Sequence, residues 1–400
     1  MRPPVSKRPR VLVVAHRLSI GGTEMHLTRV LPELRRQGLD VSVFTLARGG
    51  QLEAQLVAKG VPVSGPADSG RRLVQSVRAG LSLWRELRRR RPDVIHFFLP
   101  EPYLVGSFAS AGMRPMVRIM SRRSLAVYQQ SHVVLAQLER WLHHFTDVLL
   151  GNSSAVVEEL ATECGDRGKV GLIYNGIDVP PMVALEQRLA LRREFGIPAD
   201  AFVLIVTANF IAYKGHADLF DALGLIKNRF AKPWCLLLFG RDLGVGTTLR
   251  RQAATLGIGD NIVWVEDRMD AQTALAAADI AVVPSHQEGF SNSLIEAMAA
   301  ALPVIATRVG GNRDAVVDGE SGLLVPVQDP AALLAAISRL ADDAALRQRL
   351  GAAARSRVKA LFSLDTCVQR YLKLYAKVMM GDDCAQKMFD SPSELEKYPH

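Results

Sequence analysis

Short runs of β-branched and other apolar residues alternate along this chain with amphipathic stretches long enough to be helices, and the alternation starts twice. The first series has VLVVA (11–15), VSVFTL (41–46), DVIHFF (93–98), MVRIM (116–120) and DVLL (147–150), separated by stretches such as 22–37, 71–90 and 131–144. Strand followed by helix, repeated, specifies a parallel sheet covered by helices on both faces. Residues 175–186, with Gly176, Pro180 and Pro181, break the pattern and read as a linker. It resumes with FVLIVTA (202–208), WCLLLFG (234–240), NIVWV (261–265), DIAVVPS (279–285) and PVIAT (303–307). The fold class is therefore α/β, with two doubly wound domains at 1–180 and 181–362 facing across a cleft. A helix at 363–380 carries the stripe Leu364, Val368, Tyr371, Leu372, Tyr375 and Val378, which is expected to cross back and bury itself on the first domain. Residues 381–400 form a polar tail.

Four hundred residues suit two cores, and 48% hydrophobic with 22% charged residues excludes disorder and fibrous repeats. No apolar run approaches the roughly 20 residues of a membrane span, and no secretory pattern opens the chain. Cys164, Cys235, Cys367 and Cys384 lack CxxC spacing, so reduced thiols in a cytoplasmic protein are expected, without zinc. Charge is uneven: 25 Lys and Arg stand against 15 Asp and Glu up to residue 180, and 24 against 25 beyond it. Arg88–Arg91, with Arg71 and Arg72, suit the anionic face of a membrane or an anionic acceptor. Cations solvating a helix end are the simpler explanation. Nucleic acid is not an expected partner, because no recognition motif accompanies the charge.

Ligands of doubly wound sheets bind beyond the carboxyl ends of the strands, here the loops starting at Ala15, Phe98, Met120, Ala208, Gly240 and Pro284. The most informative is Glu288-Gly-Phe-Ser-Asn-Ser-Leu-Ile-Glu296. Gly289 permits close approach, the following helix start offers unpaired N–H groups to phosphate, and the two glutamates can accept sugar and ribose hydroxyls. A capping box of Ser293 with Glu296 would explain part of the motif without any ligand.

With this Glu pair in AVVPSHQEGFSNSLIEAMAAALPVIAT, the sequence resembles family 4 of the retaining glycosyltransferases, whose GT-B fold has two Rossmann-like domains. The resemblance continues through Gly21-Gly22-Thr23-Glu24, Asn152-Ser153, IYNGID (173–178), Lys214-Gly215 and GGNRDAVVDGESGLLVP (310–326). It implies that Lys214 lies across the donor diphosphate, Glu288 contacts the transferred sugar and Glu296 the nucleotide ribose. Gly289, Phe290 and Ser291 would offer backbone N–H groups, and Gly21 and Gly22 would let the first loop approach diphosphate or acceptor. Glycines required by a tight turn would explain Gly21 and Gly22 equally well. No metal or other cofactor is implied.

Two positions depart from the family pattern. Asn209 stands where many relatives have an arginine before the phosphate lysine, which leaves Arg241 or Arg268 to assist. Ser121-Arg122-Arg123 occupies the place of a sugar-binding histidine, and His96, inside an apolar strand, is the alternative or a satisfied core histidine. The expected function is retaining transfer of a sugar from a UDP- or GDP-linked donor to a hydroxyl of a glycan or lipid-linked acceptor, in cell-surface polysaccharide or glycoconjugate synthesis. The enzyme would be cytoplasmic and peripheral on the membrane. A catalytically weakened sugar-nucleotide-binding or scaffold protein is the other reading. An oxidoreductase is disfavoured because GxGxxG follows neither first strand.

Overall fold

The computed structural model describes residues 9–113, 116–127, 129, 132–226, 233–266 and 271–380. The chain divides into two compact units, one running to Gly176 and including Leu364 onward, the other Ile177–Ser363. In the first, strands β1 (Arg10–Ala15), β2 (Asp40–Thr45), β3 (Val63–Ser64), β4 (Val94–Phe98), β5 (Val117–Arg122), β6 (Val148–Gly151) and β7 (Val170–Leu172) form one sheet. Their order is β3-β2-β1-β4-β5-β6-β7, all parallel. In the second, β8 (Phe202–Thr207), β9 (Trp234–Phe239), β10 (Ile262–Val265), β11 (Ile280–Val283), β12 (Val304–Thr307) and β13 (Leu323–Val325) lie in the order β10-β9-β8-β11-β12-β13, again parallel. Strands buried on both faces need no polar alternation, which is why they read as unbroken apolar runs. Each sheet reverses its order once, between β1 and β4 and between β8 and β11, and there the flanking loops part to leave room for a ligand.

In the first sheet Val11, Val13 and Ile119 face helices Gly22–Arg36 and Leu364–Met380, while Leu12, Val14 and Met120 face helices Arg72–Arg90, Pro100–Ala109, Val133–His143 and Ser154–Cys164. In the second, Leu204, Leu236 and Leu238 pack under helices His216–Ile226, Gly246–Leu256 and Pro330–Asp342. Side-chain oxygens of Ser153, Asp329 and Asp343 cap helix starts, and left-handed Gly165 and Gly257 close helix ends.

The boundaries differ slightly from those expected. Ile177, almost fully buried, donates its N–H to the Phe362 carbonyl at 3.0 Å and pairs with Ser363, so the second unit begins before the prolines of the linker. One step earlier, Gly176 lies so close to Cys367 that a Cβ would collide with it. Strands β3, β7 and β13 escape the sequence pattern because two or three residues show no periodicity. Strand β5 runs two residues past Met120, because Ser121 and Arg122 find buried polar partners inside the unit. Arg268, Cys384, the tail and the side chain of Arg72 lie outside the described residues.

Helix Leu364–Met380 buries Val368, Tyr371, Leu374 and Tyr375 in the first unit. Each such side chain contributes about 1.5–3 kcal/mol. Cutting the chain after Ser363 is therefore expected to lower the melting temperature of the first unit by roughly 10 °C or more and to expose dye-binding apolar surface. A truncated chain melting with the full one would contradict this packing.

Candidate active site

The loops after β8 and β11 meet at the switch point of the second sheet. A short turn, Ala212–Lys214, ends on Gly215 at φ +70°, a conformation L side chains resist, and a Cβ at 215 would also strike the Pro284 carbonyl. The His286 N–H donates to the Tyr213 carbonyl at 2.7 Å, and the His286 ring meets Asp218 at 2.7 Å. Held this way, Lys214 Nζ donates to Glu288 Oε1 at 2.6 Å, and Ser285 Oγ donates to the same oxygen at 2.7 Å. Both charged side chains are mostly buried, 18% exposed for Lys214 and 10% for Glu288, so their attraction is little screened. Next door, Asn209 Oδ1 accepts from the Arg241 N–H at 3.1 Å, which ties the β8 loop to the β9 loop.

Helix Asn292–Ala299 begins beside Glu288. Its cap is Ser291, whose Oγ accepts from the Leu294 N–H at 3.3 Å. The capping box expected of Ser293 with Glu296 is therefore not the helix start: Ser293 is inside the helix and touches Ser291 Oγ at 3.1 Å. Glu296 lies in the second turn, half-buried. The Phe290 ring is buried against Phe362, 5.2 Å between centroids, so only its backbone remains for a ligand. Gly289 accepts from the Gly311 N–H at 3.1 Å, joining the β11 and β12 loops.

In the first unit the expected residues separate. Successive side chains of a strand point to opposite faces, and β5 divides Ser121 from Arg122 accordingly. Ser121 Oγ lies 2.7 Å from His96 Nε2, and Tyr375 OH 2.8 Å from His96 Nδ1, so the imidazole is the satisfied core histidine and no sugar ligand. Burial, with the charge of Arg123, lowers the His96 pKa to about 3. Arg122 is buried between Glu139 at 2.7 Å and Glu163 at 2.6 Å, which corrects the expectation that it serves an acceptor. Burial works to raise the Glu163 pKa, but hydrogen bonds from His143 and Arg122, with the Arg122 charge, pull it down to about 2. Arg123 bonds Asn175 Oδ1 and lies over the Phe98 ring at 5.9 Å. Gly21 is extended at φ −158° and Gly22 is the first residue of its helix, so no left-handed turn requires either glycine.

What the sequence did not single out is the group at the β1/β4 switch point. His16 Nε2 lies 3.4 Å from Glu101 Oε2. Glu24, on the first turn of the adjacent helix, has its pKa raised by burial against the pull of its own N–H, His16 and Arg123. Between β4 and Glu101, Leu99 is held at φ +73°. The signal was the loop starts at Ala15 and Phe98; only the strand order shows that the two are neighbours.

Residues 20–180 match the model described as Glycosyltransferase Family 4, and residues 187–357 the model for Glycosyl transferases group 1. The chain belongs to glycosyltransferase family 4. A D-inositol 3-phosphate glycosyltransferase of Streptomyces avermitilis is 32% identical over 59% of this chain and 53% of its own length. One of Streptomyces scabiei is 26% identical over 90% of this chain and 87% of its own. Among solved structures, Anabaena HepE in complex with UDP superposes with a TM-score of 0.82 at 20% identity, covering 92% of this chain and 100% of that one, and it shares the GT-B fold.

Sequence inspection of this family 4 glycosyltransferase also passes over His216. It follows Gly215 directly, is 2% exposed, and packs edge-on against Phe210 at 5.4 Å, with neither ring nitrogen hydrogen-bonded to another side chain. Burial and the charge of Lys214 lower its pKa to about 4, against a small opposing pull from the Ala208 backbone. The folded enzyme thus keeps His216 neutral while the unfolded chain takes up a proton near pH 6.5. Stability from this site is full above pH 6.5 and falls as the pH drops toward 4, by on the order of 3 kcal/mol. His216→Phe removes the titrating imidazole while keeping a ring against Phe210, and is expected to flatten that acid-side loss in denaturant titrations; an unchanged pH profile would show that the imidazole does not cause it.

Proposed function

We propose that this enzyme transfers a sugar, with retention of anomeric configuration, from a UDP- or GDP-linked donor to a hydroxyl of a glycan or lipid-linked acceptor, in cell-surface polysaccharide or glycoconjugate synthesis. The observation that carries the reading is the Lys214–Glu288 pair at the β8/β11 switch point, beside the start of helix Asn292–Ala299. A diphosphate there attracts Lys214, whose charge offsets the negative charge that grows on the leaving group, and the helix N–H groups add to it. Hydroxyls of the transferred sugar replace Lys214 as partners of Glu288. Glu296 accepts from ribose hydroxyls, and Asn209 with Arg241 borders the phosphates. In this reading cationic side chains and helix ends do the work of a metal. The leaving phosphate takes the acceptor proton on the same face, so positioning supplies much of the rate.

HepE bound to UDP supports the UDP alternative, and the inositol phosphate named for the relatives supports a polyol hydroxyl as acceptor. The first unit, with its basic excess, serves the acceptor side, on the cytoplasmic face of an anionic membrane.

Lys214→Ala is expected to lower transfer at saturating donor at least 100-fold with little change in melting temperature. Glu296→Ala is expected to weaken nucleotide binding, seen as a smaller thermal shift at fixed UDP or GDP. Unchanged turnover of Lys214→Ala, or sugar-nucleotide binding by the wild type with neither transfer nor donor hydrolysis, would contradict the proposal.

A further inference from the structure

Helix Arg72–Arg90 buries one face and leaves a second apolar face uncovered. Gln75, Ala79, Leu83 and Leu87, four residues apart, point into the first unit. Leu73, Val77, Leu81 and Trp84 are 79%, 58%, 55% and 40% exposed. With Val74 they fall within about a 100° arc on the opposite side, where a surface helix ordinarily carries polar residues. One flank of this stripe is basic, with Arg78 and Arg85 exposed and Arg71 exposed at the helix N-cap, and Arg88, exposed within the arc itself, stacks over the Trp84 ring at 4.6 Å. None of the four pairs with an acid among the described residues. Residues 71–91 hold eight arginines and one acid, Glu86, which binds Arg89 and Arg90. The adjoining helices Pro100–Ala109 and Val133–His143 continue the layer with exposed Phe108 and Trp141.

We infer that this face seats the enzyme on an anionic membrane, with the helix lying in the plane of the interface, its stripe at the acyl-chain boundary and its arginines among the headgroup phosphates. The helix is about 28 Å long, enough for a continuous seat, and among the described residues no helix is long and apolar enough to cross the bilayer. The arrangement differs from attraction by the Arg88–Arg91 run alone, because Arg89 and Arg90 are already held by Glu86 and the apolar stripe does part of the binding. A second copy of the chain fits poorly, since a symmetric contact would bring one arginine flank against the other. Nucleic acid would leave the stripe nothing apolar to enter. The inference does not depend on the transfer chemistry.

The test floats the full-length protein with vesicles of phosphatidylglycerol and phosphatidylcholine, or of phosphatidylcholine alone, at low and high salt. Binding is expected only to the anionic vesicles and to weaken with salt. Each Arg→Gln change at 78, 85 or 88 is expected to weaken it about fivefold. Leu73→Gln with Val77→Gln and Leu81→Gln is expected to weaken it at least tenfold while leaving the melting temperature and donor binding intact. Emission lost in Trp84→Phe should be the part quenched by brominated lipid. Anionic binding that survives the three glutamines with Trp84 unquenched would overturn the inference in favour of plain charge adsorption. A dimer abolished by those glutamines would overturn it in favour of a second copy, and equal flotation with both vesicle types would overturn it outright.

Discussion

The approach of the β8 loop to the β11 loop governs what the second unit can bind. Parallel strands end at one edge of the sheet, and the reversed order puts β8 beside β11 although 72 residues lie between Thr207 and Ile280 in the chain. Gly215 lets the two loops touch, since any Cβ would push Pro284 away and its φ of +70° disfavours every other residue. From that contact follow the Tyr213–His286 backbone bond, the His286–Asp218 pair and the Lys214–Glu288 pair. Lysine and carboxylate hold each other while both are largely out of water, which keeps them aimed at one place. A ligand that supplies a diphosphate to one and hydroxyls to the other replaces their mutual bond without leaving either charge unsatisfied.

The first unit uses its buried polar groups differently. Arg122, Glu139, Glu163 and His143 close a network on one face of β5, and His96, Ser121 and Tyr375 close another on the opposite face. Both tie strands to helices, and the second fastens the returning helix Leu364–Met380 to β4. Breaking a buried pair by removing one partner typically costs about 3–5 kcal/mol, which makes these side chains part of the frame. At the β1/β4 switch point His16 and Glu101 remain nearer solvent, and there Leu99 is held in a strained backbone conformation.

The longer strands, the two sheets and the return of the last helix were legible because each depends on periodicity over five or more residues. The placement of Lys214 and Glu288 on the loops after β8 and β11, and of Glu296 on the helix that follows, was legible because the local motifs sit directly after strand ends. The surroundings of the candidate residues in the first unit were not. Ser121-Arg122-Arg123 looks like one polar cluster in sequence, yet strand alternation sends Ser121 and Arg122 to opposite faces, and partners 17 to 41 residues away decide the environment of Arg122. The Ser291 cap was hidden by a competing Ser293–Glu296 spacing, and the extended Ser291 backbone with its bond from the Leu294 N–H distinguishes the two. His16 and Glu101 become neighbours through sheet order alone.

The central claim is that Lys214 and Glu288 act together on one donor molecule at the β8/β11 switch point. A double-mutant cycle on kcat/KM for the best nucleotide-sugar, with Lys214→Ala, Glu288→Gln and the pair, tests it most directly. If they act as a unit, the double variant is expected to be little slower than the worse single one, a coupling of roughly 1–3 kcal/mol. Effects that simply multiply, or a donor turned over equally well by all four proteins, would show that the pair is not the donor site.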